Sequence, residues 1–184
     1  GAFYAPKIDI QVEDALGREW QTATIQVDRV MLPERFDLWY VDEEGHQQRP
    51  VAIHRAIYGS LERFIGVLTE HFAGAFPLWV APVQAVIIPI ADRHVEAAEE
   101  LATVLRARGL RIEVDGSDSR MQNKIRLAQE QKIPYMVVLG DREIEAREAT
   151  LRRRGAERGE PQETLGWEVL ADRLAEESRT RVIA

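Results

Sequence analysis

The stretch VQAVIIPIADRHVEAAEELATVLRARG (83–109) decides the fold of the second half of the chain. Its first eight residues form a nearly continuous apolar run, which predicts a buried β-strand. Residues 92–108 then place apolar side chains at helical spacing and end at Gly109, which predicts an amphipathic helix. A buried strand followed directly by a helix is typical of sheets whose strands run parallel.

The same alternation continues to the end of the chain. We expect further strands at LRIEVD (110–115), PYMVVLG (134–140) and ATLRRR (149–154), with helices over 119–132 and 167–179. Asp118 or Ser119 is the expected N-cap of the first of these helices. The polar, glycine-containing segment 152–163 reads as a loop. Residues 83–184 are therefore predicted to form an α/β domain with a mostly parallel, mixed sheet.

The first part of the chain has a different pattern. KIDIQVE (7–13) and WQTATIQVD (20–28) alternate as strands do, residues 36–46 indicate a third strand that ends in a turn, and a helix is expected over 58–71. We interpret residues 1–76 as mostly antiparallel β with one helix. Residues 77–82 are interpreted as a linker, because Pro77 and Pro82 do not permit a helix to continue.

Composition excludes several classes of protein. The chain has no cysteine, so disulfides and thiolate metal sites within it are excluded. Its net charge of −7 argues against broad non-specific binding to nucleic acid, although residues 147–158 hold five Arg against two Glu. No apolar run is long enough to cross a membrane, and no signal peptide is recognisable, which favours the cytoplasm. The missing initiator Met indicates a part of a longer protein.

Five motifs follow one another along the chain: GAFYAPKIDI (1–10), WQTATIQVD (20–28), VAIHRAIYGSLERFIG (51–66), FPLWVAPVQ (76–84) and IPYMVVLGDREIE (133–145). In this order they resemble the motifs of threonyl-tRNA synthetases, which are class II aminoacyl-tRNA synthetases. The resemblance covers essentially the whole chain. It implies the C-terminal part of the catalytic domain, including the third class II motif, followed by an anticodon-binding domain.

The resemblance implies roles for residues of the first part. Arg63 would lie beside ATP, which is used with Mg²⁺, and would support the developing phosphate charge. Its alternative role is a surface ion pair. Lys7 would lie by the reacting carboxylate and phosphate. The remaining expected substrate or ATP contacts are Tyr4, Gln21, Thr24, Gln26, Asp28 and Ser60.

Three of these expectations have alternatives. The polar face of the second strand could line a cleft or could simply face solvent. In an ideal strand Gln21 faces away from Thr24, so a bulge is needed if both are to serve one site. Ser60 could equally be the N-cap of the helix that follows it.

His54 matches a zinc ligand of the family. A lone histidine is more often structural, but the resemblance implies a Zn²⁺ ion that binds the amino and hydroxyl groups of threonine. An apolar pocket would discriminate poorly between threonine and valine, whereas a metal that binds the hydroxyl rejects valine. The other two family ligands, a Cys and a His, lie upstream. His54 alone therefore cannot hold zinc, which needs about four ligands.

In the second part the resemblance implies that tRNA is read at its anticodon. Glu143 and Arg152 match residues that hydrogen-bond the central guanine, and Lys124 and Arg126 match a basic helix face toward the tRNA. A carboxylate can accept from guanine N1–H and N2–H₂, and an arginine can bind O6 and N7. The neighbouring Arg153, Arg154 and Arg158 could contact phosphates or belong to a solvated loop.

The implied activity is that of a threonine–tRNA ligase, whose partners are threonine, ATP and threonine tRNA, and whose parent protein is a homodimer. We expect this chain to bind the anticodon without catalysing alone. The alternative is a non-catalytic tRNA-binding module, or one subunit of a split synthetase. A scaffold that has lost RNA binding is a third possibility, against which the joint presence of Glu143, Arg152, His54 and Arg63 argues.

Overall fold

The computed structural model describes residues 4–156 and 159–183. The chain divides into two compact units, Gly1–Ala73 and Gly74–Ala184. Ala73 and Gly74 both have positive φ, 48° and 74°, so the chain turns through left-handed backbone where the units meet in sequence. None of the helices in the described part of the chain is long and apolar enough to cross a membrane.

The first unit is built on an antiparallel sheet. Its elements are β1 (Lys7–Glu13), β2 (Glu19–Asp28), α1 (Met31–Arg35), β3 (Tyr40–Val41), β4 (Gln47–Gln48), β5 (Ala52–Ala56) and α2 (Leu61–His71). The sheet has the order β1-β2-β5, and β3 pairs with β4 in a separate hairpin. The predicted third strand is therefore wrong in extent, because only two of its residues pair before the chain turns at Asp42.

Helix α2 begins three residues later than the sequence pattern predicted. Gly59 has φ +64°, and a Cβ there would lie 2.7 Å from the carbonyl oxygen of Thr22, so this position needs glycine and cannot be helical. Ser60 then takes an extended conformation, and its Oγ accepts a hydrogen bond from the backbone N–H of Arg63 at 3.3 Å. Ser60 is thus the N-cap, as one of its two expected roles required.

The first unit has no hydrophobic core of its own among the residues that the structure describes. Its buried residues there are Asp14, Thr22, Asp28 and Pro33. One face of the sheet is apolar, yet Ile8, Ile10, Ile25 and Ile53 on it are exposed. A sheet is stable only when such a face packs against another layer. The unit therefore has the form of part of a larger domain.

The second unit is a mixed sheet, as predicted, and its helices pack on both faces. Strand β6 (Ala85–Pro89) pairs in parallel with β7 (Ile112–Val114) and β8 (Tyr135–Leu139). Strand β9 (Glu148–Arg153) is antiparallel to β8 and to β10 (Glu163–Gly166), so the sheet order is β10-β9-β8-β6-β7.

Four helices complete the unit: α3 (Val95–Ala107), α4 (Met121–Glu130), α5 (Asp141–Ala146) and α6 (Trp167–Thr180). Alternate residues of the buried strands divide between two hydrophobic clusters. Ile87 and Val137 pack with residues of α3 and α6, whereas Ile88 and Met136 pack with Ala128 of α4. The strand pattern predicted this layered arrangement correctly.

Several details of the second unit do not follow from the sequence pattern. The short helix α5 and the strand β10 were not predicted, since one has six residues and the other lies in a polar segment. Residues 92–94 form a 3₁₀ turn before α3. Helix α4 follows Arg120 without a side-chain cap, so Asp118 and Ser119 are not its N-cap.

Two arginine side chains bind the backbone of the segment that precedes β6 within the second unit. Arg111 donates to the carbonyls of Trp79 and Ala81 at 2.8–3.0 Å. Arg154 donates to the carbonyls of Ala75, Phe76 and Lys132 at 2.8–3.0 Å, and burial lowers the pKa of its guanidinium. These guanidiniums thus supply charged hydrogen-bond donors to backbone carbonyls of the segment and of Lys132.

We expect Arg154→Ala to lower the free energy of unfolding by about 1–3 kcal/mol, because it leaves three carbonyls without their charged donor. Urea unfolding followed by circular dichroism measures the change. Arg153→Ala is the matched control, since Arg153 is exposed and lies 5.7 Å from the ring of Tyr135. Equal losses in the two variants would contradict the structural role of Arg154.

Candidate functional site

The antiparallel sheet of the first unit gathers the polar residues that the sequence analysis selected. Lys7 lies opposite Gln26, and Gln26 lies opposite His54 on the other neighbouring strand. Residues directly opposite each other in an antiparallel pair point to the same face. Thr24 and Asp28 share that face by alternation along β2. Together with Asp9 and Gln21, introduced below, these side chains define what we call the polar face.

A β-bulge settles the position of Gln21. The register between β1 and β2 shifts between Ile10 and Gln11, so β2 carries one extra residue at Thr22. Gln21 and Thr24 consequently lie on the same face, and both donate to Oδ1 of Asp9, at 2.9 and 2.8 Å. The bulge that the sequence analysis named as a condition is present.

Asp9 is a member of the polar face that the sequence analysis missed. Besides Gln21 and Thr24, it contacts Lys7, whose Nζ lies 2.5 Å from Oδ2. The hydrogen bonds from Lys7 and Thr24 outweigh burial and hold the pKa of Asp9 below its usual value. The strand alternation, which places Asp9 opposite Thr24, was the signal that could have identified Asp9 as a member of this face. Asp9 fixes three of the expected substrate contacts relative to one another.

Asp28 is buried at the end of the polar face. It accepts hydrogen bonds from the backbone N–H groups of Val30, Met31 and Leu32 at 2.8–3.1 Å and so organises the start of α1. Burial raises the pKa of Asp28, but these N–H groups and nearby His54 together lower it below its usual value. Its environment therefore favours the carboxylate.

His54 is held in place but has a free ring nitrogen within the described part of the chain. Its ring stacks on Tyr4 with centroids 5.0 Å apart, and its Nε2 lies 3.7 Å from Oδ2 of Asp28, beyond hydrogen-bond distance. Nε2 is buried and has no hydrogen-bond partner there. Such an atom fits a metal ligand. Residues 4–156 and 159–183 contain no group of three carboxylate or imidazole side chains placed to hold a metal, so His54 fits as one ligand and not as a whole site.

Arg63 lies next to the bulged end of β2. Its Nη1 donates to the carbonyl of Gln21 at 3.3 Å, and its guanidinium lies 5.4 Å from the ring of Trp20. The side chain is exposed. Ser60, which caps the same helix, also donates to Glu62 at 2.7 Å. The first turn of α2 therefore brings a positive charge to the bulged end of β2.

The second unit places Glu143 and Arg152 on adjoining elements. Glu143 lies on α5, where Oε2 accepts from the backbone N–H of Gly140 at 3.1 Å and Oε1 accepts from the hydroxyl of Thr150 at 3.3 Å. Arg152 is two residues beyond Thr150 on β9 and shares its face. Its Nη2 donates to the carbonyl of Ala156 at 2.6 Å. Both side chains are half-buried.

The expected basic face of α4 is only partly present. Lys124 is buried, and its Nζ donates to the carbonyl of Asp115 at 2.8 Å, so its charge is used inside the unit. The prediction that Lys124 faces the tRNA is therefore wrong. Arg126 is exposed and pairs with Glu130 and Asn123 on the same helix.

The arginines around Glu143 and Arg152 differ in their surroundings. Arg147 lies 4.4 Å from the ring of Trp167, and Arg154 binds backbone carbonyls. Arg153 is exposed, and Arg158 lies outside the described residues. The cluster is thus partly structural and partly available to a ligand.

Comparisons with known proteins agree with both units. Residues 1–72 match the tRNA synthetase class II core domain (G, H, P, S and T), and residues 84–177 match the anticodon binding domain. The chain is 55% identical to a threonine–tRNA ligase of Deinococcus deserti and 54% identical to one of Anaeromyxobacter dehalogenans. These matches cover 98% and 97% of the chain but only 28% and 27% of the relatives.

Solved structures show the same similarity. The crystal structure of the RNA binding domain of threonyl-tRNA synthetase from Cryptosporidium parvum superposes with a TM-score of 0.83 and 41% identity, over 96% of this chain and 44% of that one. Prolyl-tRNA synthetase from Giardia lamblia, in complex with prolyl-adenylate, has a TM-score of 0.69 at 20% identity, over 95% and 40%. The second similarity concerns the fold alone.

The lowered pKa of Asp28 gives a test of its role. A lowered pKa means that the stabilisation is complete above the unfolded-state value, about 3.9, and disappears as the pH falls through the folded-state value. We expect Asp28→Asn to reduce the hydrogen-exchange protection of the N–H groups of Val30, Met31 and Leu32 at pH 7. Below about pH 4 the difference from the wild type should shrink. Asp118→Asn, at an exposed position, is the control. Unchanged protection at pH 7 would contradict the role of Asp28.

Proposed function

We propose that this chain, which belongs to the class II aminoacyl-tRNA synthetase family, is the C-terminal part of a threonine–tRNA ligase. The parent reaction has two steps. Threonine and ATP give threonyl-adenylate and pyrophosphate, and a hydroxyl of the terminal ribose of the tRNA then takes the threonyl group and releases AMP. Within the parent, this chain reads the anticodon and supplies one part of the catalytic site.

The observation that carries the proposal is that Glu143 and Arg152 lie on neighbouring elements of the anticodon-binding domain, α5 and β9. A carboxylate and a guanidinium together complement guanine, because one accepts from N1–H and N2–H₂ and the other donates to O6 and N7. RNA bases in a loop are unstacked and can be read on these edges. The half-buried position of both side chains supports recognition of a base over contact with phosphate alone.

The polar face of the first unit is suited to the chemistry of adenylate formation. Lys7 and Arg63 bring positive charge, which stabilises a pentavalent phosphate and its pyrophosphate leaving group. Gln21, Thr24 and Gln26 offer hydrogen-bonding groups for the adenosine and threonine, and Tyr4 and Asp28 adjoin the amino-acid side of the site. ATP would be used with Mg²⁺. Asp9 holds the side chains of Lys7, Gln21 and Thr24 in position.

Zinc is proposed for the parent protein, with His54 as one ligand. The buried Nε2 of His54, which has no hydrogen-bond partner among the residues that the structure describes, supports this role. The ion, when bound, would take the hydroxyl of threonine and thereby reject valine, which an apolar pocket does poorly. The remaining ligands would come from outside this chain, since its described residues offer no group of three.

The missing core of the first unit supports the view that the chain alone is inactive. Its apolar sheet face is exposed, with Ile8 65% and Ile53 69% accessible, and the chain spans about a quarter of the length of its relatives. We propose that the rest of the parent catalytic domain covers this face. A homodimeric parent and a cytoplasmic location are part of the same proposal. The alternative, a separate tRNA-binding subunit of a split enzyme, rests on the same exposed face.

The first test is binding of the 184-residue chain to an anticodon stem-loop of threonine tRNA, measured by fluorescence anisotropy. Arg152→Ala should weaken binding by about 1–3 kcal/mol, because it removes the donor fork to the base. Glu143→Gln should reduce the preference for a central guanine. Arg179→Ala, an exposed arginine paired with Glu176 on α6, is the control and should change little. Equal binding to stem-loops of unrelated anticodon would contradict the proposal.

The second test is ATP–pyrophosphate exchange with threonine, for which we expect no signal from the isolated chain. The reason is that one layer of the catalytic domain and most zinc ligands would lie outside it. A full-length threonine–tRNA ligase is the positive control. If exchange were seen and were abolished by Arg63→Ala, the activity would belong to this chain and the proposed dependence on the rest of the parent would be wrong.

A further inference from the structure

A row of three polar side chains crosses three elements of the second unit. Oε1 of Glu143 on α5 lies 3.3 Å from the hydroxyl of Thr150 on β9, and that hydroxyl lies 3.3 Å from the hydroxyl of Thr164 on β10. Thr150 and Thr164 are direct cross-strand partners in the antiparallel ladder. Their side chains therefore point to the same face, the one on which Glu143 is held.

The carboxylate fixes the direction of these hydrogen bonds. An ionised carboxylate only accepts, so the proton of the Thr150 hydroxyl must point to Glu143. Thr150 can then only accept from Thr164, whose hydroxyl becomes the donor of the second bond. The result is a directed series of two hydrogen bonds, from Thr164 to Thr150 and from Thr150 to one oxygen of the Glu143 carboxylate.

The other oxygen of Glu143 is held from the backbone. Oε2 accepts from the N–H of Gly140, and a Cβ at that position would lie 3.0 Å from the same oxygen and 2.8 Å from the terminal methyl of Ile90. Each carboxylate oxygen can accept about two hydrogen bonds. Within residues 4–156 and 159–183 one acceptor position therefore stays open on each oxygen, next to a surface depression of about 570 Å³ that Glu143 and Thr164 line.

Two adjacent open acceptors match one base edge well. Guanine presents two donors side by side, N1–H and N2–H₂, whereas adenine presents an acceptor at N1 beside its N6 amino group. A carboxylate fixed in orientation can satisfy the guanine edge with both oxygens. A carboxylate free to rotate about its last bond could adapt to a single donor and would lose part of this discrimination.

We infer that Thr150, supported by Thr164, is a positioning residue that sets the selectivity of Glu143 for guanine. The inference rests on the proposed function, in which Glu143 reads the central base of the anticodon. Thr150 acts through the carboxylate and does not itself contact the base. Its removal should therefore change the choice between bases more than the binding of RNA as such.

The experiment compares Thr150→Val with Thr150→Ser in the 184-residue chain. Valine keeps the shape of threonine and loses the hydroxyl, whereas serine keeps the hydroxyl. Fluorescence anisotropy gives the affinity for a threonine anticodon stem-loop and for the same RNA with adenine at the central position. We expect the ratio of the two affinities to fall about tenfold in Thr150→Val, as for loss of a hydrogen bond to a charged group, and to be retained in Thr150→Ser.

The controls separate the inference from the proposed function. Thr103→Val removes an exposed hydroxyl that bonds the backbone of α3 and should leave the ratio unchanged. A wild-type chain with no preference for guanine would overturn the proposed function. A wild-type preference that Thr150→Val retains, or an equal loss of affinity for both RNAs, would overturn the inference alone.

A second variant keeps the test decisive if Thr150→Val does not fold. Thr164 lies on β10, at the edge of the sheet. The variant Thr164→Val removes the hydroxyl that supports Thr150. We expect a smaller fall of the guanine-to-adenine ratio in the same direction. An unchanged ratio in a folded Thr164→Val chain would overturn the directed series of hydrogen bonds.

Discussion

Strand β6 is buried along its whole length, and the second unit is arranged around that constraint. A strand with no solvated face needs hydrogen-bonded strands on both edges and apolar layers on both sides. β7 and β8 supply the edges, while α3 and α6 cover one side and α4 covers the other. The chain must then leave the carboxyl end of β8 through a short helix, α5, which carries Glu143. The burial of one strand thus leads, step by step, to the position of the residue proposed to read the anticodon.

The first unit obeys a different constraint, because its sheet has a polar face and an apolar face and nothing in the described residues covers the latter. Ile8 and Ile53 on the apolar face remain open to solvent, while Asp9 and Asp28 on the other face are surrounded by donors. The hydrogen bonds fix the geometry of the polar face locally. The exposed apolar face leaves the unit without a packed layer on that side. This division agrees with the proposal that the segment holds ordered substrate contacts and requires its parent for activity.

Carboxylates organise both candidate sites in the same physical way. Asp9 collects Lys7, Gln21 and Thr24, and Glu143 is held by the N–H of Gly140 and the hydroxyl of Thr150. A carboxylate that accepts hydrogen bonds from several donors is fixed in orientation. Neighbouring groups are then preorganised for a ligand, so less conformational freedom is lost when it binds.

The sequence by itself determined the succession of elements and most of the polar face, because strand and helix periodicity are local properties. It correctly predicted the mixed α/β layer, and it identified a bulge near Gln21 as the condition under which Gln21 and Thr24 share one face, a condition that the register meets. It did not predict α5 or β10, since elements of six and four residues carry too little periodicity.

Only the tertiary structure decided which charges serve the interior. Lys124 and Arg154 look like surface cations in the sequence, yet both donate to backbone carbonyls within the second unit. The role of Asp9 depends on strand register, which brings it to Thr24, 15 positions away. The role of Thr150 depends on how α5 packs against β9, which brings its hydroxyl to Glu143, 7 positions away. Such contacts arise from tertiary packing, which no local pattern encodes.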